Sequence, residues 1–172
     1  MGQVIWINGP FSAGKSRVAT ALVEAVDDSF LLDPELIGVM LRDHLVPPSL
    51  YSNDFQDLSL WRSFTREAVL DAAVRHGGPI VVPMTIAHPD YFDEVVGAIR
   101  ERVRLHHFTL MASREEILRR EAERADETGG WAAKTVERVL PELASSRYAE
   151  HMDTEAHSVE QIVAQIRERI AS

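Results

Sequence analysis

Hydrophobic residues fall into short continuous runs that alternate with stretches of helical periodicity. The first run, Gln3 to Asn8, is apolar almost throughout, which is typical of a parallel strand covered on both faces. Further short runs predict strands at Phe30–Leu32, Pro79–Met84, Arg104–Met111 and His151–Thr154. Strands separated by helices predict a parallel sheet with right-handed crossovers and helices on both of its faces.

Apolar positions spaced three and four residues apart predict the intervening helices. They are expected at residues 15–26, 34–46, 58–75, 90–102, 113–125, 131–143 and from 158 onward. Ser113 with Glu116, and Ser158 with Gln161, have the spacing of helix-capping pairs. The 172 residues therefore predict one α/β domain, a three-layer α/β/α sandwich around a five-stranded parallel sheet.

One connection in this pattern carries a phosphate-binding motif. Gly9-Pro10-Phe11-Ser12-Ala13-Gly14-Lys15-Ser16 has the spacing GxxxxGKS between a predicted strand and a predicted helix, which is the context of a P-loop. Gly9 and Gly14 let the backbone curl so that its amides point inward. Lys15 is expected to reach the β- and γ-phosphates of ATP, and the Ser16 hydroxyl is expected to bind Mg²⁺. The motif predicts binding of a nucleoside triphosphate.

Composition narrows the class of protein. With 45% hydrophobic and 26% charged residues, the chain belongs with soluble globular proteins. Its net charge of -9 argues against a general nucleic-acid binder, which needs a basic face. The absence of cysteine excludes disulfides and thiol chemistry. Since no signal peptide or membrane-spanning run is visible, we expect a cytoplasmic protein without an integral membrane segment.

Ligands of such sheets collect beyond the carboxyl ends of the strands, which directs attention to Asp33. A carboxylate at the end of the second strand can orient an acceptor hydroxyl and take its proton during phosphoryl transfer. Asp33 before Pro34 is also a helix N-cap signal, and one residue can do both. Thr85, after the third strand, can bind a substrate group or simply form a turn. No acid follows that strand, so Mg²⁺ is expected to depend on Ser16, the phosphates, water and Asp33.

The charged helix predicted at residues 113–125 contains the arginines expected of a lid over the phosphates. Arg120 and Arg124 lie one turn apart and share a face of this charged helix. Kinases that exclude water before transfer close an arginine-bearing segment over the phosphates, and we assign this role to residues 113–135. The alternative is a solvated helix face, because Glu116 and Arg120 form a favourable pair.

The segment 34–76 lies between the second and third strands, where this architecture places its acceptor site. Its candidate substrate ligands are Arg42, Arg62 and Arg66. The aromatic residues Tyr51, Phe55 and Trp61 can stack on a sugar or base, although Trp61 is equally suited to the core. The sequence leaves the oligomeric state unassigned.

Further motifs extend the pattern beyond the phosphate-binding loop. They are Ile5-Trp6-Ile7-Asn8-Gly9-Pro10-Phe11, Asp33-Pro34-Glu35, Val82-Pro83-Met84-Thr85-Ile86 with His88-Pro89, His106-His107-Phe108-Thr109-Leu110-Met111-Ala112, and Trp131-Ala132-Ala133-Lys134. With them the chain resembles the tunicamycin-resistance protein family of small P-loop proteins over almost its whole length. That family is similar in fold to nucleoside monophosphate kinases, shikimate kinase and chloramphenicol phosphotransferase. The resemblance implies a P-loop NTPase fold of the nucleoside monophosphate kinase type.

The resemblance also implies a function, protection against the nucleoside antibiotic tunicamycin by an ATP-binding protein. By analogy with the kinase relatives, Asp33 matches the acceptor-binding or base position, and Arg120 and Arg124 match lid arginines. One hypothesis is a small-molecule kinase that phosphorylates a hydroxyl of a nucleoside-like antibiotic. A second is an ATP-dependent protein that sequesters the drug without phosphoryl transfer. A third is a metabolic kinase whose link to the antibiotic is incidental.

Overall fold

Five parallel strands form the centre of the structure, a computed structural model that describes residues 2–51, 54–124 and 131–171, without the side chains of residues 124 and 131–134. The strands are β1 Gln3–Asn8, β2 Phe30–Leu31, β3 Ile80–Pro83, β4 Arg104–Met111 and β5 His151–Asp153. Their order is β2-β3-β1-β4-β5, and all neighbours pair in parallel. The predicted five-stranded parallel sheet is confirmed.

Helices cover both faces of this sheet. They are α1 Lys15–Ala25, α2 Pro34–Met40, α3 Ser59–Arg75, α4 Pro89–Phe92, α5 Ala98–Arg100, α6 Arg114–Arg124, α7 Trp131–Leu143 and α8 Val159–Ala171. None of the helices described is long and apolar enough to span a bilayer. The predicted three-layer α/β/α sandwich is confirmed.

The central strand β1 explains why the core is divided into two layers. Its alternate residues Val4 and Trp6 pack into one apolar cluster with residues of α3 and α4. Ile5 and Ile7 point to the opposite face and join a second cluster with residues of α1 and α8. All four side chains are fully buried. A strand covered on both faces needs apolar residues at every position, which is why the first run shows no polar alternation.

Two predicted helices are interrupted by wider turns. The helix expected at residues 34–46 runs as α2 into a π-helical turn, Leu41–Leu45. The helix expected at residues 90–102 is α4, a π-helical turn at Asp93–Gly97, and then α5. A π turn inserts one residue into a helix, and the pattern of apolar residues does not reveal this insertion. Hydrophobic periodicity therefore predicts the two helices but not their interruptions.

The segment between α2 and α3 also has local structure. It forms short 3₁₀ turns at Pro48–Leu50 and Phe55–Asp57. The second turn begins at Asp54, whose Oδ1 accepts a hydrogen bond from the Gln56 amide at 3.0 Å. The Phe55 ring covers Gly38 of α2 so closely that a Cβ there would lie 2.6 Å from it. This packing fixes the segment against α2.

The two predicted helix caps differ in their details. At α8 the cap is reciprocal, because the Gln161 amide donates to Ser158 Oγ (3.3 Å) and the Ser158 amide donates to Gln161 Oε1 (2.8 Å). At α6 the Glu116 amide donates to Ser113 Oγ at 3.2 Å, but the Ser113 amide donates to Glu155 instead of Glu116. The predicted reciprocal pair at α6 is therefore only half formed, since the Glu116 carboxylate binds arginines of its own helix.

A buried histidine on β4 makes the fold sensitive to acid. His107 packs against the rings of Phe92 and Tyr148, and its Nδ1–H donates to the Ala149 carbonyl oxygen at 3.2 Å. Burial lowers the pKa of His107 to about 4, although the bond to Ala149 opposes the shift. The imidazole is therefore neutral in the folded protein at pH 7.

We expect the protonation of His107 to destabilise the fold as the pH falls. Its folded pKa lies below the ordinary value of 6.5, so the unfolded chain binds the proton first and stability is lost from pH 6.5 down through about pH 4. In urea unfolding at pH 7 and pH 4, the wild type should lose about 3 kcal/mol more than His107→Gln. The exposed His157, replaced by Gln, is the control and should lose as much as the wild type. Equal losses in all three proteins would contradict this explanation.

Candidate functional site

The loop between β1 and α1 has the backbone geometry of a phosphate cradle. Gly9, Ser12 and Gly14 have positive φ angles of 141°, 58° and 97°. At Gly9 a side chain is excluded twice, by this angle and because a Cβ would lie 2.6 Å from the Leu110 carbonyl oxygen. Gly14 is the N-cap of α1 and supplies no side-chain cap. The start of such a helix is suited to an anionic ligand.

Lys15 bends back over this loop. Its Nζ donates to the carbonyl oxygens of Gly9 (3.0 Å) and Pro10 (2.9 Å) and lies 5.5 Å from the centre of the Phe11 ring. Ser16 follows on the exposed surface of the first turn of α1. These features fit a nucleoside triphosphate with Mg²⁺: the positive φ angles of the loop, the Lys15 ammonium group against it and the exposed Ser16 hydroxyl.

Two polar side chains tie the phosphate loop to the segment that follows β3. The Asn8 Nδ2 group donates to the Ile86 carbonyl oxygen (3.0 Å), and its Oδ1 accepts from the amides of Gly9 (2.8 Å) and Ile86 (3.1 Å). Thr85 Oγ1 donates to the Gly9 carbonyl oxygen at 2.6 Å. Asn8 is fully buried and Thr85 nearly so. The Thr85 hydroxyl thus binds the phosphate loop to the segment after β3. Thr85 also lines a cavity beside the loop.

A cavity of about 830 Å³ opens beside the phosphate loop, at the carboxyl ends of β1 and β3. Phe11 belongs to both the loop and the cavity wall. The rest of the wall comes from α2, the segment before α3, the segment after β3, and α7. The apolar and aromatic residues of the wall are Val39, Tyr51, Phe55, Met84, Ala87, Pro89, Tyr91 and Val139. Its size and mixed lining suit a small organic ligand.

Charged groups also line this cavity. The carboxylates are Glu35, Asp54, Asp57 and Glu142, the cations are Arg42 and Arg138, and His88 is a further lining residue. Burial raises the pKa of Asp54, the nearby Asp57 raises it further, and the Gln56 amide opposes the shift. Among the residues that the structure describes, the wall holds more carboxylates than arginines.

The three predicted acceptor arginines occupy different places. Arg42 lines the cavity and binds the neighbouring Asp43 through two bonds, at 2.6 and 3.1 Å. Arg62 lies behind the wall, where it binds Glu94 (2.6 Å) and stacks 4.2 Å from the centre of the Tyr91 ring. Arg66 is outside the lining residues and pairs with the adjacent Glu67 on α3. Of these arginines the structure brings Arg42 to the cavity, while Arg62 supports it through Tyr91.

Asp33 is the N-cap of α2, as one of its two predicted roles requires. Its Oδ1 accepts a hydrogen bond from the Glu35 amide at 2.9 Å. Asp33 is outside the lining of the cavity, whereas Glu35, two residues later, is part of it. Strand β3 lies between β2 and the strand that carries the phosphate loop. The cap is confirmed, and the role of Asp33 as a base stays a prediction.

The predicted lid arginines are only partly described. Arg120 binds Glu116 (2.6 Å), and its other nitrogens donate to Thr154 Oγ1 (3.0 Å) and the Thr154 carbonyl oxygen (2.8 Å). It therefore ties α6 to the segment after β5. The side chain of Arg124 and residues 125–130 of the predicted lid lie outside the described part of the chain.

One contact of α6 was not predicted. The carboxylate of Glu121 accepts a hydrogen bond from the Ser12 hydroxyl, so α6 touches the phosphate loop through an acid. The sequence gives no signal for this contact, because Glu121 is one of many charged residues on α6 and is 109 positions from Ser12.

The chain is similar in sequence and fold to known proteins. A family model described as AAA domain matches residues 4–167. The tunicamycin resistance protein of Deinococcus radiodurans shares 30% identity with a TM-score of 0.81, over 98% of this chain and 96% of that chain. No curated protein matches the chain.

Two more distant structures share the fold. A gluconokinase from Sinorhizobium meliloti has 17% identity and a TM-score of 0.65, over 99% of this chain and 96% of that chain. The APS kinase of Mycobacterium tuberculosis, solved in complex with AMPPNP and APS, has 17% identity and a TM-score of 0.63, over 99% of this chain and 98% of that chain. These likenesses establish the architecture of the sandwich.

We expect Asn8→Leu to damage both the fold and the phosphate loop. The substitution leaves the buried amides of Gly9 and Ile86 without their acceptor, which should lower the free energy of unfolding by about 2 to 4 kcal/mol and weaken nucleotide binding. Urea unfolding and titration with a fluorescent ATP analogue measure the two effects. Gln3→Leu on the same strand is the control, because the buried Gln3 Nε2 has no partner among the described residues and should be replaced without loss. Equal stability of the two variants would contradict the assignment.

We expect Glu121→Gln to bind ATP more tightly than the wild type. Removing a negative charge that contacts the phosphate loop should reduce the repulsion between the protein and the triphosphate. We expect the affinity for ATP to increase about fivefold. The same fluorescent titration measures it. Glu123→Gln, which removes a carboxylate paired with Arg119 on α6, should leave the affinity unchanged. An unchanged affinity in Glu121→Gln would show that the contact has no electrostatic effect on the nucleotide.

Proposed function

Because the chain belongs to the AAA domain family and to the tunicamycin-resistance protein family, we propose that it is an ATP-dependent phosphotransferase acting on a hydroxyl of a nucleoside-like antibiotic such as tunicamycin. The substrate class is taken from the Deinococcus radiodurans relative and the reaction from the geometry of the site. The net charge of -9 supports a small-molecule acceptor over a nucleic acid. Its place of action would be the cytoplasm, where ATP is available.

One observation carries the proposal: the phosphate loop and the 830 Å³ cavity share Phe11, and Thr85 bonds the loop while lining the cavity. A donor phosphate held by the loop would therefore face an acceptor held by the cavity. Phosphoryl transfer depends chiefly on placing the two oxygens in line and on neutralising charge. Neighbouring donor and acceptor sites meet the first of these needs.

The loop residues would act on ATP as follows. Residues Gly9 to Ser16 would surround the phosphates, with Lys15 moving from the carbonyl oxygens of Gly9 and Pro10 to the β- and γ-phosphates. Ser16 would hold Mg²⁺, which neutralises charge on the phosphate oxygens. Arg120 and Arg124 are proposed to neutralise charge that develops on the transferred group.

The acceptor would be held by the segment 34–76 and by Thr85, with Arg42 inside the cavity and Arg62 and Arg66 around it. Its hydroxyl oxygen would attack the γ-phosphorus, the bond to the β–γ bridging oxygen would break, and ADP would leave. We propose that Asp33 receives the hydroxyl proton. Because Asp33 Oδ1 accepts the capping bond from the Glu35 amide, its other carboxylate oxygen would receive the proton.

A second function is favoured by the position of Asp33. A protein that binds tunicamycin with ATP and leaves it unmodified needs the cavity and the phosphate loop, but no base. The cavity is lined by Glu35 and lacks Asp33, as such a sequestering protein allows. The two functions differ in whether the drug changes mass.

Mass spectrometry of tunicamycin incubated with the protein, ATP and Mg²⁺ tests the proposal. We expect the drug mass to increase by one phosphoryl group, and we expect no increase with Lys15→Ala because the phosphates lose their cation. Asp33→Asn should lower the rate at least about a hundredfold if Asp33 is the base, since general base catalysis typically contributes that much. Asp28→Asn is its matched control.

The other outcomes discriminate among the functions. Tight binding of unmodified drug that requires ATP would identify sequestration. Neither binding nor modification would refute both functions and direct the search to metabolites. If Asp33→Asn phosphorylates the drug at an unchanged rate, the kinase function is supported and the role of Asp33 as the base is contradicted.

A further inference from the structure

Three planar groups form a stack at the cavity wall. The His88 and Tyr91 rings are stacked, with centroids 4.3 Å apart and an interplanar angle of 25°. The guanidinium carbon of Arg62 lies 4.2 Å from the centre of the same Tyr91 ring. One face of a phenol ring cannot hold both groups at these distances, so Arg62 and His88 lie on opposite faces and Tyr91 lies between them.

Hydrogen bonds hold the inner part of this stack in place. Arg62 Nε donates to Glu94 Oε2 at 2.6 Å, and its Nη1 donates to the Gln56 carbonyl oxygen at 2.5 Å. The Tyr91 hydroxyl donates to Asp57 Oδ1 at 3.1 Å. The Arg62 side chain is only 12% exposed, so it is enclosed by the protein as well as bonded to it. A wall that is ordered in advance loses little conformational entropy when a ligand packs on it.

His88 forms the outer end of the stack. It is exposed, and it lines the cavity. Tyr91 covers one face of the His88 ring, so the exposed surface of the ring belongs to its opposite face and its edges. His88 is the N-cap of α4 and has the extended backbone, with ψ 122°, that a residue before proline favours. The spacing of the two rings is thus set within one turn.

Two other rings of the lining are packed differently. The Phe55 ring covers Gly38 and lies 5.2 Å from the Trp61 ring at a tilt of 41°. Phe11 belongs to the phosphate loop itself. These two rings serve the fold and the loop, whereas His88 combines exposure with a supported stack behind it.

The position of His88 also links it to the phosphate loop. The two residues Thr85 and Ile86 shortly before it bond the Gly9 carbonyl oxygen and the Asn8 side chain. A ligand group placed on His88 would therefore rest on the segment that is tied to the donor site.

Resting on the proposed function, we propose that the acceptor contains a planar conjugated ring, such as a nucleobase, and that this ring stacks on the face of His88 opposite Tyr91. The ligand ring then adds a fourth layer to the stack of three. Nucleobases stack on histidine and other aromatic side chains, and the contact depends on the π-face of the base. His88 positions the acceptor and selects for a flat ring, and it takes no part in phosphoryl transfer.

Calorimetric titration of the protein with tunicamycin, in the presence of AMPPNP and Mg²⁺, tests the stack without turnover. His88→Ala should weaken drug binding about ten- to hundredfold, because a base–aromatic contact is lost. His88→Phe keeps a flat ring and should stay within about threefold of the wild type. If the imidazole instead served through a hydrogen bond or its charge, both variants would bind weakly. The affinity for AMPPNP should be the same in all three proteins.

The matched control is His76→Ala. It removes an exposed imidazole that also contacts a ring, that of Phe30 at 5.7 Å, but lies outside the lining of the cavity. This variant should bind tunicamycin as the wild type does. Thermal unfolding of each variant identifies any folding defect.

A pair of nucleosides tests the requirement for a flat ring. Uridine and 5,6-dihydrouridine have the same ribose and the same polar groups on the base, but saturation of the C5–C6 bond puckers the ring and removes its conjugation. The wild type and His88→Phe should bind uridine at least about fivefold more tightly, and His88→Ala should lose this preference. A merely structural role of His88 would weaken both nucleosides equally and leave the preference intact.

The outcomes separate this inference from the proposed function. An unchanged affinity for tunicamycin in His88→Ala would overturn the stack and leave the kinase standing, as would equal binding of the two nucleosides by the wild type. Binding that depends on His88, with a drug whose mass stays unchanged after incubation with ATP, would support the stack and overturn phosphoryl transfer. A wild type that binds neither tunicamycin nor uridine would overturn the two together.

Discussion

The buried amide of Asn8 sets the relative position of the phosphate loop and the acceptor cavity. It lies at the last position of β1 and bonds the backbone of the Gly9 turn and of Ile86, after β3. Each of these backbone groups is inside the protein, where an unmet hydrogen bond is costly. Because one side chain satisfies them all, the loop and the segment after β3 cannot move independently. These bonds also position part of the cavity wall, since the lining residues Met84, Thr85 and Ala87 lie on or beside that segment.

Local signals in the sequence account for the elements and for the phosphate loop. A continuous apolar run predicts a strand buried on both faces, as for β1, and the motif from Gly9 to Ser16 fixes its own turn through Gly9 and Gly14. Asp33 before Pro34 predicts a cap that depends only on its neighbours. These features are predictable because the residues that decide them lie within a few positions of one another.

The lining of the site was less predictable, because its contacts join distant parts of the chain. Arg62 and Arg42 belong to the same segment, yet Arg62 stands behind Tyr91 while Arg42 lines the cavity. The bond between Ser12 and Glu121 spans 109 positions, and Asp54 meets a residue of α7. Helical spacing predicts on which face of a helix an arginine lies. It does not predict which carboxylate, ring or cavity that face will contact.

The two halves of the site are held by different forces, and this difference bears on how such a protein acquires a substrate. The phosphate loop offers backbone amides and one lysine, whose positions follow from φ angles and from the Asn8 bonds. The cavity offers side chains from α2, the turn at Asp54 and α7. Substitutions in the second group can change which acceptor fits without altering any backbone contact of the first. The same sandwich occurs in a gluconokinase and an APS kinase, so the fold by itself does not specify the acceptor. Among the residues that the structure describes, carboxylates outnumber arginines around this largely apolar cavity, and the specificity of the protein is to be sought there.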